Sequence, residues 1–347
     1  MNDSPLISVI VPVYNGGAQL DRCLEALLRS DFQPLEIILV DDASTDGTAS
    51  KWQAQGVQVL RLSARSGPAA ARNRGVGRAQ GNIFLFVDAD VVVRRDTLAE
   101  VATFFRNQPD AHAVFGSYDD EPDAKSFISQ YKNLLHHFTH QQASAQAATF
   151  WAGCGAVRRE AFAAVGGFDE RRYVRPSIED VELGYRLRRR GFQITLKRDL
   201  QVKHLKRWTI GSLWRSDIFG RALPWSRLII ENGEVLNDLN LRVAERICAA
   251  AVFLILLLSS FAYFLPSLLL AIPFGLLTVF VLNWRLFRFF HSRHGINFAI
   301  ASFAMLFVYY FYSGVTLGMT YLIHLPQKLI NGSLISPGGP MHSRNDV

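Results

Sequence analysis

The chain has 347 residues, enough for one large domain with an appendage or for two modest domains. Hydrophobic residues make up 49% and charged residues 19%, too apolar for a purely soluble protein, and Lys plus Arg number 37 against 30 for Asp plus Glu. No zinc spacing, aromatic RNA-binding signature or basic arm accompanies the positive balance, which excludes nucleic acid as the expected partner, and three scattered cysteines exclude a disulfide framework.

Residues 6–13 form a short β-branched run ending at Asn15, Gly16 and Gly17, the pattern of a buried strand entering a loop. Leu20, Leu24, Leu27 and Leu28 then recur at helical spacing. A second strand at 35–40 stops at Asp41 and Asp42, after which Ser44 or Thr45 is placed to cap a helix, and 57–62 reads as a third strand. An Ala-rich helix at 67–79 leads to a fourth strand at 82–87, which ends in Asp88-Ala89-Asp90. This alternation predicts a mostly parallel, three-layer α/β sheet with ligands beyond the carboxyl ends of its strands, where both acidic clusters fall.

Beyond residue 91 the alternation loosens: a helix at 96–105, a strand at 113–118 and a long helix at 125–142 that carries His136, His137 and His140, read as surface or acceptor-cleft residues. A Gly-containing strand and loop at 150–158, helices at 159–165 and 179–190, and two short strands at 192–196 and 200–204 follow. From 208 to 236, Trp208, Trp214, Phe219 and Trp225 interleave with Arg215, Arg221 and Arg227, which suits helices lying in a membrane interface or, alternatively, an amphipathic helix on the protein's own core. The basic stretch 171–215 is either a solvated face or a surface for anionic headgroups or a phosphate-bearing acceptor.

Three transmembrane helices are expected at about 247–264, 267–284 and 297–323, the first two near the ~20 residues that a bilayer needs and the third in a longer apolar segment that must tilt or overhang, with Pro266 making a hairpin of the first two. Two spans with a re-entrant third segment are the alternative. Arg242 and Arg246 before the first span, and Arg285, Arg288 and Arg293 in an expected linker, place both flanks and the globular domain in the cytoplasm. The division expected is a catalytic domain at 1–207, interfacial amphipathic helices at 208–246, membrane helices at 247–325 and a C-terminal tail at 326–347, in an integral membrane protein without a cleavable signal peptide.

Asp88 and Asp90 carry the sharpest chemistry. Two carboxylates at the end of a buried strand need water, cations or a metal, and hard Mg2+ or Mn2+ accepts such oxygens while bridging to phosphates. The plainer reading is a pair of turn-forming or capping aspartates.

Taken together, these features resemble family 2 glycosyltransferases of the GT-A fold. The match runs through Ile7-Ser8-Val9-Ile10-Val11-Pro12-Val13-Tyr14-Asn15, Val40-Asp41-Asp42-Ala43-Ser44-Thr45-Asp46-Gly47-Thr48, Ala70-Ala71-Arg72-Asn73-Arg74-Gly75 and Phe86-Val87-Asp88-Ala89-Asp90, in that order. The resemblance implies a Rossmann-like GT-A domain that binds a nucleoside-diphosphate sugar. Pro12, Tyr14 and Asn15 would line the nucleotide pocket, Asp41 or Asp42 would hold the base or ribose, and Arg72 would approach the base or diphosphate. Asp88 would sit near the ribose and metal, and Asp90, completed by His204, would ligate Mg2+ or Mn2+. Glu179 and Asp180 resemble the acidic pair of inverting members, with Asp180 as the base; Arg207 would meet the diphosphate, and Trp151, Gly153 and Trp208 the acceptor. Processive members carry Gln where this chain has His204, so transfer of a single sugar is expected, to a membrane-associated, lipid-linked acceptor. The rivals are a processive polysaccharide synthase subunit and a catalytically silent membrane scaffold.

Overall fold

A computed structural model describes residues 7–332 except 56 and 237, and gives the backbone alone for Leu35, Asn240 and 325–332. Of the tail expected at 326–347, residues 333–347 lie outside the described residues.

The first half is a run of strand and helix: β1 (Ile7–Val13), α1 (Gly17–Leu28), β2 (Leu35–Asp41), α2 (Ser50–Gln53), β3 (Gln58–Arg61), α3 (Pro68–Val76), β4 (Ile83–Val87) and β5 (Val91–Val92). Then come α4 (Thr97–Asn107), β6 (Ala111–Tyr118), α5 (Phe127–Gln142), β7 (Cys154–Arg158), α6 (Arg159–Ala164), α7 (Glu179–Arg189) and β8 (Gln193–His204). The strands form one mixed sheet in the order β3-β2-β1-β4-β7-β6-β8-β5. The β3-β2-β1-β4 half is parallel throughout, whereas β7 runs antiparallel to both β4 and β6.

The sheet is buried on both faces, which is why its strands read as continuous apolar runs. Alternate residues of β1 enter opposite cores: Ile7, Val9 and Val11 join Leu20 and Leu24 of α1, and Ile10 joins Ala69 and Ala71 of α3. Each such Leu, Ile or Phe contributes roughly 1.5–3 kcal/mol by leaving water.

Several expectations need correction. Ser44 and Thr45 cap no helix, because α2 starts only at Ser50; instead both are tied to Asn15. The two strands expected at 192–204 are one strand, β8, whose pairing with β6 slips between Phe115↔Leu196 and Ser117↔Gln201. The slip presses the Leu200 carbonyl onto Gly116, where a Cβ would stand 2.1 Å from that oxygen, so the position takes no side chain. Of the histidines read as surface or acceptor-cleft residues, His137 and His140 are buried, and His136 and His140 line the cleft described below. Finally, the segment after β8 is not simply an interfacial face. Its elements are α8 (Ile210–Arg215), a π-helical turn (Ser216–Ala222) and α9 (Leu223–Asn232). Trp214 and Phe219 are exposed, but Trp208 is buried and Trp225 packs with Leu228 and Leu236 against the α3 side of the sheet.

The remaining chain is α10 (Val243–Phe261), a 3-10 turn (Pro266–Ala271), α11 (Ile272–Leu282) and α12 (Trp284–Gly332). Val243–Phe261 and Trp284–His324 are long and apolar enough to cross a membrane, and Pro266–Leu282 is a shorter apolar helix. Few of the side chains in their apolar windows are buried, unlike those of a core helix. The linker expected around Arg285–Arg293 is instead the start of α12, interrupted only at Gly295 (φ 79°). This first part lies on α5: Phe290 meets Tyr131, Phe289 stacks on His137, Arg293 pairs with Asp120 and His294 Nε2 lies 2.9 Å from Gln130 Oε1.

Candidate active site

One cleft of about 1550 Å³ opens at the carboxyl ends of β1, β2 and β4. Its first wall is the loop after β1. Asn15 takes a left-handed conformation (φ 53°), its N–H donates to Ser44 Oγ at 2.9 Å, and its Oδ1 accepts from the Thr45 N–H at 2.8 Å. Pro12, Tyr14 and Asn15 all line the cleft. The Tyr14 ring lies 3.9 Å under the guanidinium carbon of Arg65, a cleft residue that the sequence reading missed.

Asp41 and Asp42 have separate fates. Asp41 turns away from the cleft, accepting the Ser44 N–H at 2.8 Å with Arg61 beside it. Asp42 lines the cleft and holds the loop before α3, accepting the N–H groups of Ser66 (2.6 Å) and Gly67 (2.9 Å). Gly67 has φ 89°, and a Cβ there would strike the Val174 carbonyl at 2.6 Å, so the loop closes onto the segment before α7.

Behind these loops sits a buried ion triad. Arg72 donates to Asp88 Oδ1 at 2.7 Å and to Glu179 Oε1 at 2.8 Å, joining α3 to the end of β4 and the start of α7. Burial and the neighbouring Asp90 push the Asp88 carboxyl up, and the Arg72 guanidinium opposes them. Arg72 and Glu179 therefore hold each other and position Asp88.

Asp90 has a different setting. Its Oδ2 is 3.5 Å from Nε2 of His204, whose ring stacks on Tyr118 with centroids 4.0 Å apart. The other nitrogen, Nδ1, lies 2.6 Å from Asn133 Oδ1. Because that oxygen can only accept, Nδ1 carries a proton, and Nε2 is the ring nitrogen turned to Asp90. Burial would raise the Asp90 carboxyl, but His204 and then Lys206 outweigh it and keep Asp90 below the usual carboxylate range. A carboxylate oxygen and an imidazole nitrogen aimed at one point are a partial divalent-cation site. Among the described residues no three His, Cys, Asp or Glu side chains gather into a complete one.

Asp180, at the start of α7, is half-buried and accepts the N–H groups of Ala152 (3.0 Å) and Val181 (2.8 Å). Burial, helped by Glu179, lifts its carboxyl to about 6 against the pull of those N–H groups and Arg72. A carboxylate poised there can accept a proton near neutral pH. Trp151 lines the cleft beside it, packed edge-on to Tyr118 and His140 and against His136. Gly153 does not line the cleft; a Cβ there would collide with the Trp151 indole, and its carbonyl accepts the Asp88 N–H. Trp208 lines the cleft with Lys206 above its ring at 4.4 Å. Arg207 is exposed and outside the cleft, because β8 and the residues following it alternate sides, so that Lys206 points in.

Residues 8–166 match the family model described as Glycosyl transferase family 2. The glycosyltransferase GlyG of Streptococcus pneumoniae serotype 4 is 38% identical over 134 residues, which are 36% of this chain and 44% of that protein. The uncharacterized glycosyltransferase YibD of Escherichia coli K12 is 40% identical over 94 residues, 26% of this chain and 27% of that protein. The matches thus span less than half the length of either relative. The solved mannosyltransferase PcManGT of Pyrobaculum calidifontis, in complex with GDP-Man and Mn2+, is 22% identical and superposes with a TM-score of 0.56 over 95% of this chain and 88% of that one, a likeness of fold. Its mixed sheet is consistent with the GT-A fold, and residues 8–166, with their acidic loops at the strand ends, are similar to family 2 glycosyltransferases.

Proposed function

We infer that the protein transfers a single sugar, with inversion, from a nucleoside-diphosphate sugar to a membrane-associated acceptor, with its catalytic domain at the cytoplasmic face. The observation that carries this reading is that Asp180 and the Asp90–His204 pair face a single cleft whose other walls are the loop after β1 and the apolar helices.

The donor's base would lie on Tyr14 and Arg65, with Asn15 and Asp42 shaping the floor beneath it. Asp90 and His204 would hold Mg2+ or Mn2+, which when bound would offset the negative charge on the leaving diphosphate. Arg72, Asp88 and Glu179 keep that side rigid.

Asp180 takes the proton of an acceptor hydroxyl as its oxygen bonds to the anomeric carbon. The bond from that carbon to the diphosphate breaks, and nucleoside diphosphate leaves on the opposite side. Trp151 offers an aromatic face to the acceptor beside the base. The exposed apolar surface of α10 to α12 supports anchoring in lipid by two spanning helices and a shorter third.

The test is transfer by the full chain in lipid, given a panel of nucleotide sugars with Mn2+ or Mg2+. Labelled sugar entering the lipid phase, and lost in Asp90→Ala or Asp180→Asn, is the expected result. Failure to bind any nucleotide sugar in the presence of metal would overturn the reading.

A further inference from the structure

At about 1550 Å³ the cleft exceeds the roughly 300–1,000 Å³ of an ordinary ligand pocket. The excess lies on the side away from the nucleotide loops. There the wall is made by the π-helical turn and α9 together with Leu282, Leu286, Leu306 and Tyr309 of the apolar helices.

That wall is basic in an unusual way. Among the cleft's guanidinium groups, Arg72, Arg172 and Arg242 each have a carboxylate partner. Arg215, Arg221, Arg227 and Arg285 also line the cleft, yet among the described residues none of them makes a hydrogen bond or ion pair. Arg221 is the innermost, its charge bearing on His136, His140 and Lys132. Burial keeps both of those imidazoles uncharged. Asp217, a carboxylate on the same turn, is already engaged by Lys132 at 2.6 Å and by the Tyr312 hydroxyl at 2.8 Å. Permanently charged guanidinium groups without a counter-charge, set against leucine side chains, fit an anion that carries a hydrocarbon chain.

The position of the base says more about that ligand. Arg221, Arg285, Trp151 and Asp180 line the same cleft, so one ligand can reach from the arginines to the base. A bare lipid phosphate would present an oxygen that is already anionic and gives no proton to Asp180. A ligand whose phosphate rests on the arginines and whose sugar hydroxyl reaches Asp180 uses both features, with the Trp151 face beside that sugar. We propose that the acceptor is a lipid phosphate or diphosphate already bearing a sugar, its phosphate held by Arg221 and Arg285, its chain along Leu282, Leu286 and Leu306, and its hydroxyl presented to Asp180. This assignment rests on the glycosyltransferase reading and extends it to the acceptor's class.

The experiment is equilibrium binding to the full chain in phosphatidylcholine nanodiscs, with three probes: a polyisoprenyl diphosphate carrying one hexose, an alkyl glycoside of the same hexose, and bare polyisoprenyl phosphate. Arg221→Gln and Arg285→Gln are compared with wild type, and Arg221→Lys serves as the charge-retaining control for folding. The expected result is at least tenfold tighter binding of the charged glycolipid than of the neutral glycoside, a gap that shrinks at least fivefold in either Gln variant and recovers in part in the Lys variant. With nucleotide sugar and metal added, the charged glycolipid becomes glycosylated and bare polyisoprenyl phosphate does not. Equal binding of charged and neutral glycolipids, an unchanged gap in both Gln variants, displacement of the lipid by millimolar inorganic phosphate, or transfer to bare polyisoprenyl phosphate would each overturn the proposal. Nucleotide-sugar binding is measured on the same samples: its loss strikes the glycosyltransferase reading, and its retention alongside any of those results strikes this inference alone.

Discussion

The two walls of the cleft are built on opposite plans. On the nucleotide side the charges at the strand ends are matched within the protein, Asp42 by two backbone N–H groups and Arg72 by Asp88 and Glu179, while Arg65 rests on the Tyr14 ring. On the side of α9 and α12 the arginines stand unmatched beside exposed apolar surface. A site with satisfied polar groups is organised before its ligand arrives, whereas unmatched cations wait for a ligand to complete them. The contrast fits a constant nucleotide on one side and a bulky amphiphile on the other.

The sharpest way to break this comparison is at the base between the walls. Asp180→Asn is expected to lower kcat by about 10²–10⁴-fold with nucleotide-sugar affinity intact, read by transfer kinetics and a binding titration. A loss of affinity equal to the loss of rate would place Asp180 on the nucleotide side instead. Next in size is the buried pair that links α5 to the π-helical turn. Asp217→Ala strands Lys132 without its partner and should cost about 3–5 kcal/mol, seen as a lower denaturant midpoint. Little change would mean that Lys132 finds water when Asp217 is gone.

A smaller effect is expected behind the cation site. Asn133→Ala frees the His204 ring and should weaken Mn2+-dependent nucleotide binding about 10–100-fold, measured by metal titration. The mildest perturbation is pH. The Asp180 carboxyl sits at about 6, so the base is protonated below that value and kcat should fall about tenfold per pH unit on the acid limb. The stability sign is opposite. A carboxylate whose folded value is raised costs stability at neutral pH, and that cost fades as the pH drops through 6. Asp180→Asn should therefore not lower the melting temperature at pH 7, and a marked drop would show that its contacts with Ala152 and Val181 outweigh the charge.

How far the sequence could be read follows the same division. The parallel half of the sheet was legible because buried strands write continuous apolar runs, and the acidic ends of β2 and β4 mark where those strands stop. That Asp90 and Asp180 lie at one cleft was legible through motif and spacing. Arg65 was not, since an isolated arginine in a loop carries no local sign that its partner is an aromatic ring, and Arg221 stood out only within the Trp–Arg interleaving, which does not tell which wall it joins. The fused strand β8 was missed because the slip against β6 is set by a neighbour far along the chain, and Arg207 points away from the cleft because the residues after β8 alternate sides. The start of α12 looked like a basic linker because its partner face on α5 lies more than 150 residues earlier, as the His294–Gln130 contact shows.

The tie from Lys132 through Asp217 to Tyr312 bears on how this molecule can be taken apart. Truncation after residue 207 would look natural from the motifs, yet it would strip Leu228 and Leu236 from the sheet's packing, uncover Tyr131 and Leu134, and leave an ammonium group facing nothing. A fragment ending there is expected to aggregate when expressed alone, so detergent or lipid belongs in the purification from the first step.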